Sequence, residues 1–255
     1  MKTMELKECV DKLTVDGGEI YPFYPTTPEQ YIVGNTQYAV LNQHEFMSRR
    51  GIENATLSSL ADYLPDGVVI AGGFMISALY PKHVTTDIDM FFLGSDAFLS
   101  TYDMLCSPPD SLPAEAWAWK GYKTNVSRAE LLAHSNELRT VTFTNTDPTK
   151  LPIQLIKMIW FSKYEHVIDS FDFTVCQFSA TREDIIFNPV SWVDLYNQEL
   201  IVHKGQAPVE TLYRIIKYVK KGYKTSHRTL INVCENIRDA KELQTELPVN
   251  IAKYA

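Results

Sequence analysis

The chain has 255 residues, of which 45% are hydrophobic and 22% are charged, with a formal net charge of −7 at pH 7. This composition is typical of a folded globular protein with one large domain or two small ones, and it excludes a disordered chain. It also excludes a protein that binds nucleic acid through overall positive charge, so any contact with RNA or DNA must come from a local basic patch.

The cysteines and the N-terminal segment indicate the cellular compartment. Cys9, Cys106, Cys176 and Cys234 are far apart and form no Cys-x-x-Cys pair, which predicts reduced thiols rather than a disulfide framework or a zinc site. The N-terminal residues are charged and lack the apolar core of a signal peptide, and no run of about 18 apolar residues predicts a membrane span. We therefore expect a cytoplasmic protein with no membrane contact.

Residues 1–64 are predicted to form an N-terminal arm and helices that pack on the main body. The segment up to residue 35 becomes rich in Gly, Pro and Tyr, which favours an irregular arm. The apolar spacing from Gln37 to Tyr63 fits two helices interrupted near residues 51–54. A Pro-Asp-Gly turn then delivers the chain into the first strand of the main body.

A Gly-Gly turn follows this first strand. The apolar run Val68–Ala71 predicts the strand, Gly72 and Gly73 the turn, and the residues after them a short helix. Such a turn offers backbone N–H groups and the positive end of a helix dipole, which suits a phosphate, although by itself it is more often only a turn. Ser77 on the short helix is a further candidate contact.

Two acidic residues, Asp87 and Asp89, lie in the next predicted strand among large apolar residues. Side chains alternate along a strand, so both carboxylates point to the same face and repel each other. They are hard to tolerate there unless a cation lies between them, and oxygen ligands in a small site suit Mg²⁺ or Mn²⁺. The turn and the acid pair together predict a site for a metal-bound nucleoside triphosphate (NTP).

The next part of the chain alternates between strand and helix patterns. Residues 107–123 are predicted to form a loop or lid, in which Trp117 and Trp119 either stack on a base or pack on the protein. The other predicted elements are a helix at 96–105, a β-prone piece at 138–144, a strand at 151–161, a helix at 162–170 and a strand at 171–179. Residues 65–182 are thus predicted to form an α+β domain, a small mixed β-sheet flanked by helices.

Residues 183–255 are predicted to form a C-terminal helical region. The segment 207–243 is read as two helices with a break at Gly222. The first of them carries the densest basic cluster of this acidic protein, which consists of Arg214, Lys217, Lys220, Lys221 and Lys224. This cluster is either a solvated helix face or a contact to phosphate or nucleic acid.

The order of these features resembles the polymerase-β-type nucleotidyltransferase superfamily, in which a Gly-Gly turn precedes an Asp-x-Asp strand. The downstream chain is similar to the head and neck of class II CCA-adding tRNA nucleotidyltransferases and bacterial poly(A) polymerases. The similar motifs are Asp172-Phe173-Thr174-Val175, the pair Asp194-Leu195, and the helix Glu210 to Lys217 that runs on to Gly222-Tyr223. The resemblance implies a catalytic head followed by a helical neck, with Mg²⁺ or Mn²⁺ as cofactor and an NTP as substrate.

Roles at the catalytic centre follow from the acid pair and the resemblance together. Asp87 and Asp89 are predicted to be catalytic and to hold the metal. Asp172 is predicted to open a strand beside the segment 151–157, where it acts either as a third catalytic carboxylate or, by family analogy, as a contact to the ribose. The alternative for Asp172 is a structural role at the end of a strand.

Nucleotide binding is assigned to the turn and to the neck. Gly72, Gly73 and Ser77 are expected to contact phosphates. Arg214 and Lys217 are expected to meet the nucleotide across the cleft between head and neck. Lys82 and His83 either touch the triphosphate or belong to a solvated loop.

The sequence also departs from the family pattern. Ser170 and Phe171 replace two arginines that precede the Asp, and Thr211 replaces the neck Asp that helps to select the base. The segment 151–156 offers Gln154 but no third acidic residue. The family's tRNA-gripping body and tail are expected to be missing or rudimentary, so strict CCA addition is not expected.

The predicted function is metal-dependent transfer of a nucleoside monophosphate from an NTP to an acceptor hydroxyl. The acceptor is an RNA 3′ end, slightly favoured by the basic segment 210–228, which would contact RNA or tRNA, or else a small molecule or a protein side chain. The alternative is a nucleotide-binding or interaction module of the same fold without catalysis. The missing third acid favours this alternative, and the retained acid pair argues against it.

Overall fold

A computed structural model describes residues 29–33, 36–50, 54–80, 82–133, 138–157, 160–204 and 208–239. The strands are β1 Glu29–Val33, β2 Thr36–Asn42, β3 Val68–Ala71, β4 Ile88–Phe92, β5 Tyr122–Lys123, β6 Thr140–Asn145, β7 Ile153–Ile156, β8 Phe178–Ala180, β9 Asp184–Phe187, β10 Glu199–Leu200 and β11 Lys224–Thr225. The α-helices are α1 Gln43–Arg50, α2 Ala55–Ala61, α3 Gly73–Leu79, α4 Ser95–Cys106, α5 Arg128–Ala133, α6 Tyr164–Asp169, α7 Pro189–Asn197, α8 Pro208–Lys220 and α9 His227–Asp239.

One nine-stranded mixed sheet organises the described part of the chain. Its strand order is β1-β2-β9-β8-β3-β4-β7-β6-β5. The pair β4–β7 is parallel, whereas the other neighbours in this sheet pair antiparallel. The sheet with its flanking helices confirms the predicted α+β class, and β4, which follows Asp87 and contains Asp89, lies near its centre.

Strand β3 is covered on both faces, which explains its continuous apolar run. All four of its residues are buried. Val68 and Ile70 face the main core, which the helices α3 and α4 help to form. Val69 and Ala71 face a second, smaller core with residues of α6. A central strand buried on both sides needs apolar residues at every position rather than at alternate ones.

The predicted helix beginning at Gln37 is wrong, because residues 36–42 form strand β2 and the helix α1 begins only at Gln43. Strand β2 pairs with β1 on one side and with β9 on the other. Tyr38 packs in the smaller core and Ala39 in the main core, so neighbouring residues on the strand are both apolar. Because both faces of this strand carry apolar residues, its sequence does not alternate between apolar and polar with a period of 2. The apolar spacing therefore resembles that of a helix.

The predicted strand at 171–179 is also only partly present. Thr174–Cys176 form a 3₁₀ helix, and β8 begins at Phe178. Strand β8 lies between β3 and β9, not beside β7. Asp172 therefore does not open a strand next to the segment 151–157, and the prediction that such a strand places it at the catalytic centre is wrong.

The segment 107–123 is packed on the protein. It contains a 3₁₀ helix, Ala114–Trp119, and the edge strand β5. Trp119 is fully buried, and its Nε1–H donates to the carbonyl oxygen of Leu60 at 3.1 Å. Trp117 is 38% exposed, and the ammonium of Lys150 lies 5.1 Å from its ring centre. Trp119 is thus a core residue rather than a surface for stacking a base.

The predicted helical C-terminal region is present as α8 and α9. The chain turns between them at Gly222, whose φ of +95° favours glycine. Strands β10 and β11 pair in parallel and join this turn to the segment before α8. The three-part domain division stays a prediction, although its boundaries at 64 and 182 separate β2 and β9 from strands of the same sheet. No helix in the described segments is long and apolar enough to cross a membrane.

Candidate active site

The Gly-Gly turn lies against the acid pair. Gly72 has φ +79° and ψ −147°, a backbone conformation that is almost restricted to glycine. Ala71, the last residue of β3, is paired with Asp89 on β4. A Cβ atom built on Gly72 would lie 3.1 Å from Asp89 Oδ2, so this glycine allows the backbone to approach the carboxylate closely.

We expect Gly72→Ala to destabilise the protein by about 1–3 kcal/mol, because a side chain is strained at this φ and crowds Asp89. The matched control is Gly94→Ala. Gly94 precedes α4 in an extended conformation, and nothing lies within 4 Å of an added Cβ. Its substitution should cost under about 1 kcal/mol. Urea unfolding of both variants measures the difference, and equal costs would contradict the strain at Gly72.

The acid pair has an amide neighbour. Strands β4 and β7 run parallel, with Asp89 opposite Gln154. Gln154 Nε2 donates a hydrogen bond to Asp87 Oδ2 at 3.0 Å, and Thr85 Oγ1 donates to the backbone oxygen of Asp87 at 3.0 Å. A neutral amide therefore stands beside the pair at the place on β7 where the family resemblance leads one to expect an acid.

Asp89 is held in an environment that disfavours its charge. Burial, followed by repulsion from Asp87, raises the pKa of Asp89 to about 7, while the charge of Lys217 opposes this shift. Lys217 lies exposed on α8, so the neck supplies positive charge to the acid pair. Lys217 offsets the repulsion between the two carboxylates only in part, and a bound cation would relieve the rest.

The two carboxylates fit a divalent cation whose remaining coordination positions are filled by other ligands. The described residues contain no group of three or more His, Cys, Asp and Glu that could hold a metal. Mg²⁺, however, is commonly held by one or two carboxylates, with water and substrate phosphates as its remaining ligands. Asp87 and Asp89 are the residues that could hold such an ion.

The raised pKa of Asp89 predicts a pH dependence. Between about pH 4 and pH 7 the folded protein holds a proton on Asp89 that the unfolded chain has lost, so the contribution of Asp89 to stability falls as the pH rises through this range. In urea unfolding with EDTA at pH 5, 6, 7 and 8, the stability of the wild-type protein should fall relative to that of Asp89→Asn as the pH rises. Identical pH profiles for the two proteins would contradict the shift.

Asp172 belongs to a contact between the sheet domain and helix α8. Its side chain is nearly buried, and Oδ2 accepts hydrogen bonds from Arg214 Nη1 at 2.5 Å and from Thr211 Oγ1 at 3.2 Å. The backbone oxygen of Asp172 accepts from the N–H of His203 at 2.7 Å. Both functional candidates, Asp172 and Arg214, are thus paired with each other.

His83 is a buried contact between the loop before β4 and the neck. Its side chain packs against the rings of Tyr218 and Tyr223 at 5.8 and 5.7 Å. Its Nδ1 lies 3.1 Å from the hydroxyl of Tyr223, and its Nε2 lies 3.4 Å from Nζ of Lys221. The predicted alternative of a solvated loop is therefore wrong for His83, whereas Lys82 is exposed.

The other predicted residues have distinct positions. Ser77 lies one turn along α3 from Gly73 and is partly buried. Lys221 and Thr85 adjoin the site but were not singled out from the sequence. Lys221 was visible only as one member of a basic cluster, and nothing in the sequence distinguished Thr85 from other loop residues.

The fold is similar to that of nucleotidyltransferases of known structure. A CCA-adding enzyme of Thermotoga maritima in complex with tRNA is similar, with a TM-score of 0.51 and 14% identity over 78% of this chain and 46% of that chain. A CCA-adding enzyme solved with ATP has a TM-score of 0.52 and 15% identity, with the same coverage of both chains. This chain thus spans about half the length of these enzymes, and the likeness at such identity concerns the fold.

The sequence itself identifies the family. Residues 41–198 match the model described as Gad2, Gabija anti-defense 2 family protein. The match covers more than half of the chain, and the protein belongs to the Gabija anti-defense 2 family. No curated protein sequence gives a significant match.

Proposed function

We propose that this protein is a metal-dependent nucleotidyltransferase that transfers a nucleoside monophosphate from an NTP to an acceptor hydroxyl. The observation that supports this most is the acid pair, Asp87 and Asp89, in which Asp89 lies directly against Gly72 and interacts electrostatically with Asp87 and Lys217. A fold without catalysis has no physical reason to keep two repelling carboxylates together.

In this proposal Asp87 and Asp89 hold Mg²⁺ or Mn²⁺, which supplies charge stabilisation for the attacking and leaving oxygens. Gln154 orients Asp87 through its amide hydrogen bond. Gly72 and Gly73 let the triphosphate approach the backbone, with Ser77 as a further contact. Little covalent chemistry is required of the protein, because such reactions depend mainly on positioning and electrostatics.

Asp172 is assigned an indirect part in this mechanism. Its carboxylate oxygen is already bound by Arg214 and Thr211 of α8, so we assign it to holding the neck against the head rather than to binding metal. Arg214, half-exposed beside this contact, remains a candidate for the nucleotide. Lys217 is also a candidate for the nucleotide, because its positive charge acts on Asp89 of the catalytic pair.

RNA is the favoured acceptor. Lys217, Lys220, Lys224 and Arg228 are exposed on α8 and the segment that follows it, within the stretch 210–228 first assigned to RNA. Of these, Lys217 and Lys220 lie on α8, Lys224 on β11 and Arg228 on α9, and such a group of exposed cations suits a phosphate backbone. The similar enzyme of Thermotoga maritima was solved with tRNA, whereas a small molecule or a protein side chain is the other kind of acceptor.

The family description adds a biological direction to this chemistry. Because the family is described as Gabija anti-defense, we infer that the transfer reaction acts against Gabija, by modifying either a Gabija protein or a nucleic acid on which Gabija depends. Purified Gabija proteins therefore belong among the acceptors to be tested.

The experiment incubates the protein with each α-labelled NTP, Mg²⁺ or Mn²⁺, and either cellular RNA or Gabija proteins. Label on one acceptor class, lost in the Asp87→Ala/Asp89→Ala double variant, would establish the reaction and name the base and acceptor together. Label on the protein itself or on a small product would move the acceptor away from RNA.

The second candidate is a nucleotide-binding or interaction module without catalysis, favoured by Gln154 in place of a third acid. It predicts no transfer with any NTP, although nucleotide still binds. It also predicts that anti-Gabija activity survives Asp87→Ala. Survival of that activity would remove the enzymatic proposal.

A further inference from the structure

A lysine at the end of helix α8 contacts the loop that precedes Asp87. Lys221 follows the last residue of α8, and its Nζ donates to the carbonyl oxygen of Val84 at 2.7 Å. The same ammonium lies 3.4 Å from Nε2 of His83. Lys221 thus crosses from the neck to the loop that leads into Asp87.

The contacts of His83 fix its role as an acceptor. Burial, followed by the charges of Lys221 and Lys217, lowers the pKa of His83 to about 4, so the imidazole is neutral near pH 7. A lysine ammonium only donates, and Nε2 therefore accepts from Lys221. The proton of the neutral ring then lies on Nδ1, which donates to the Tyr223 hydroxyl. The neutral imidazole thus accepts a hydrogen bond from the ammonium and adds no positive charge that would repel it.

The imidazole that holds the ammonium adjoins the Gly-Gly turn. Nε2 of His83 is 3.9 Å from the position that a Cβ on Gly73 would occupy, and Thr85 Oγ1 is 3.3 Å from it. Lys221 also interacts electrostatically with Asp87, whose charge favours the ammonium against burial and Lys217. The ammonium is thus bound by the loop beside Gly73 and lies within the electrostatic influence of Asp87.

This cation has donor capacity to spare. An ammonium has three N–H groups, and within the described chain the two acceptors, Val84 O and His83 Nε2, account for two of them. Lys221 is partly buried, whereas its neighbour Lys220 is exposed. A partly buried ammonium binds an anion more strongly than an exposed one, because solvent screens it less.

We propose that Lys221 binds the pyrophosphate portion of the NTP, with the hydroxyl of Thr85 as its neighbour beside Gly73. The assignment rests on the proposed function and extends it to the leaving group. In the transfer, the acceptor oxygen bonds to the α phosphorus, its proton passes to water, and the bond from that phosphorus to the bridging oxygen breaks. Pyrophosphate leaves with the electron pair, and Lys221 stabilises the negative charge that develops on it.

The test measures binding rather than transfer. Calorimetry with inorganic pyrophosphate and Mg²⁺, and separately with nucleoside monophosphates, compares the wild-type protein with Lys221→Met. We expect at least a tenfold weaker affinity for pyrophosphate and less than a twofold change for monophosphate. Lys123→Met is the control and should leave both affinities within twofold, because Lys123 is exposed on β5, outside the basic segment 210–228. Lys221→Gln, which keeps an amide donor for Val84, replaces the methionine variant if that variant does not fold.

Each outcome decides the assignment. Unchanged pyrophosphate affinity in Lys221→Met, or no pyrophosphate binding by the wild-type protein, overturns it. Equal losses for pyrophosphate and monophosphate also overturn it, because they show that Lys221 only holds the loop. Selective loss of pyrophosphate affinity supports it. If that loss occurs in a protein that transfers no nucleotide to any acceptor, the phosphate subsite stands and the proposed transferase activity fails.

Discussion

Asp87→Asn and Asp89→Asn are each expected to lower the proposed nucleotide transfer by on the order of 10³-fold, because each would remove a charged ligand of the proposed metal ion. The amide keeps the shape of the carboxylate but not its charge. The measurement is incorporation of α-labelled nucleotide into the acceptor at saturating Mg²⁺. Retained activity in either variant would contradict the assignment of the catalytic pair.

The stability of Asp89→Asn should rise, although its activity falls. Asp89 is repelled by Asp87 and disfavoured by burial, so Asp89→Asn is expected to raise the free energy of unfolding of the metal-free protein at pH 8. Asp96→Asn is the matched control, because Asp96 is exposed on α4. It should leave transfer unchanged and lower the free energy of unfolding by less than about 1 kcal/mol, because Asp96 lies in the first turn of α4. A variant that is more stable and inactive shows that the loss of activity is not a loss of fold.

The second large effect is expected at the contact between Asp172 and Arg214. Removing Arg214 takes an ion-pair partner from a nearly buried carboxylate, whose Oδ2 also accepts a hydrogen bond from Thr211 Oγ1. We expect Arg214→Met to destabilise the protein by about 1–3 kcal/mol. Asp172→Asn should cost a similar amount, and the double variant should cost less than the sum of the two. Urea unfolding of the four proteins gives the coupling energy.

This cycle also separates the two roles suggested for Asp172. If Asp172 holds the neck against the head, Asp172→Asn and Arg214→Met reduce nucleotide transfer to a similar degree, and the double variant is no worse. If Asp172 is a catalytic carboxylate, Asp172→Asn abolishes transfer while Arg214→Met does not. Arg139→Met is a control for the loss of positive charge, because Arg139 is exposed just before β6 and lies outside the basic segment 210–228.

Local sequence determined the central features of this protein. The unit made of strand β3, the Gly-Gly turn and helix α3 was predicted correctly, because each part depends on neighbouring residues: an apolar run, a glycine-only backbone conformation and a short helical stretch. Helices α4, α8 and α9 followed from their amphipathic patterns in the same way. The acid pair was likewise recognisable from two carboxylates at i and i+2.

Pairings between distant segments were decided only by the tertiary structure. Strand β2 looked helical because both of its faces are covered, and the strand that covers one edge, β9, lies more than 140 residues later. Asp172 could not be placed from its own segment, because its partners Thr211 and Arg214 come from another element. From its own segment His83 is predicted either to touch the triphosphate or to lie in a solvated loop, whereas in the structure its ring packs against Tyr218 and Tyr223. A sequence displays local conformational preference, whereas burial and ion pairing depend on which surfaces meet in space.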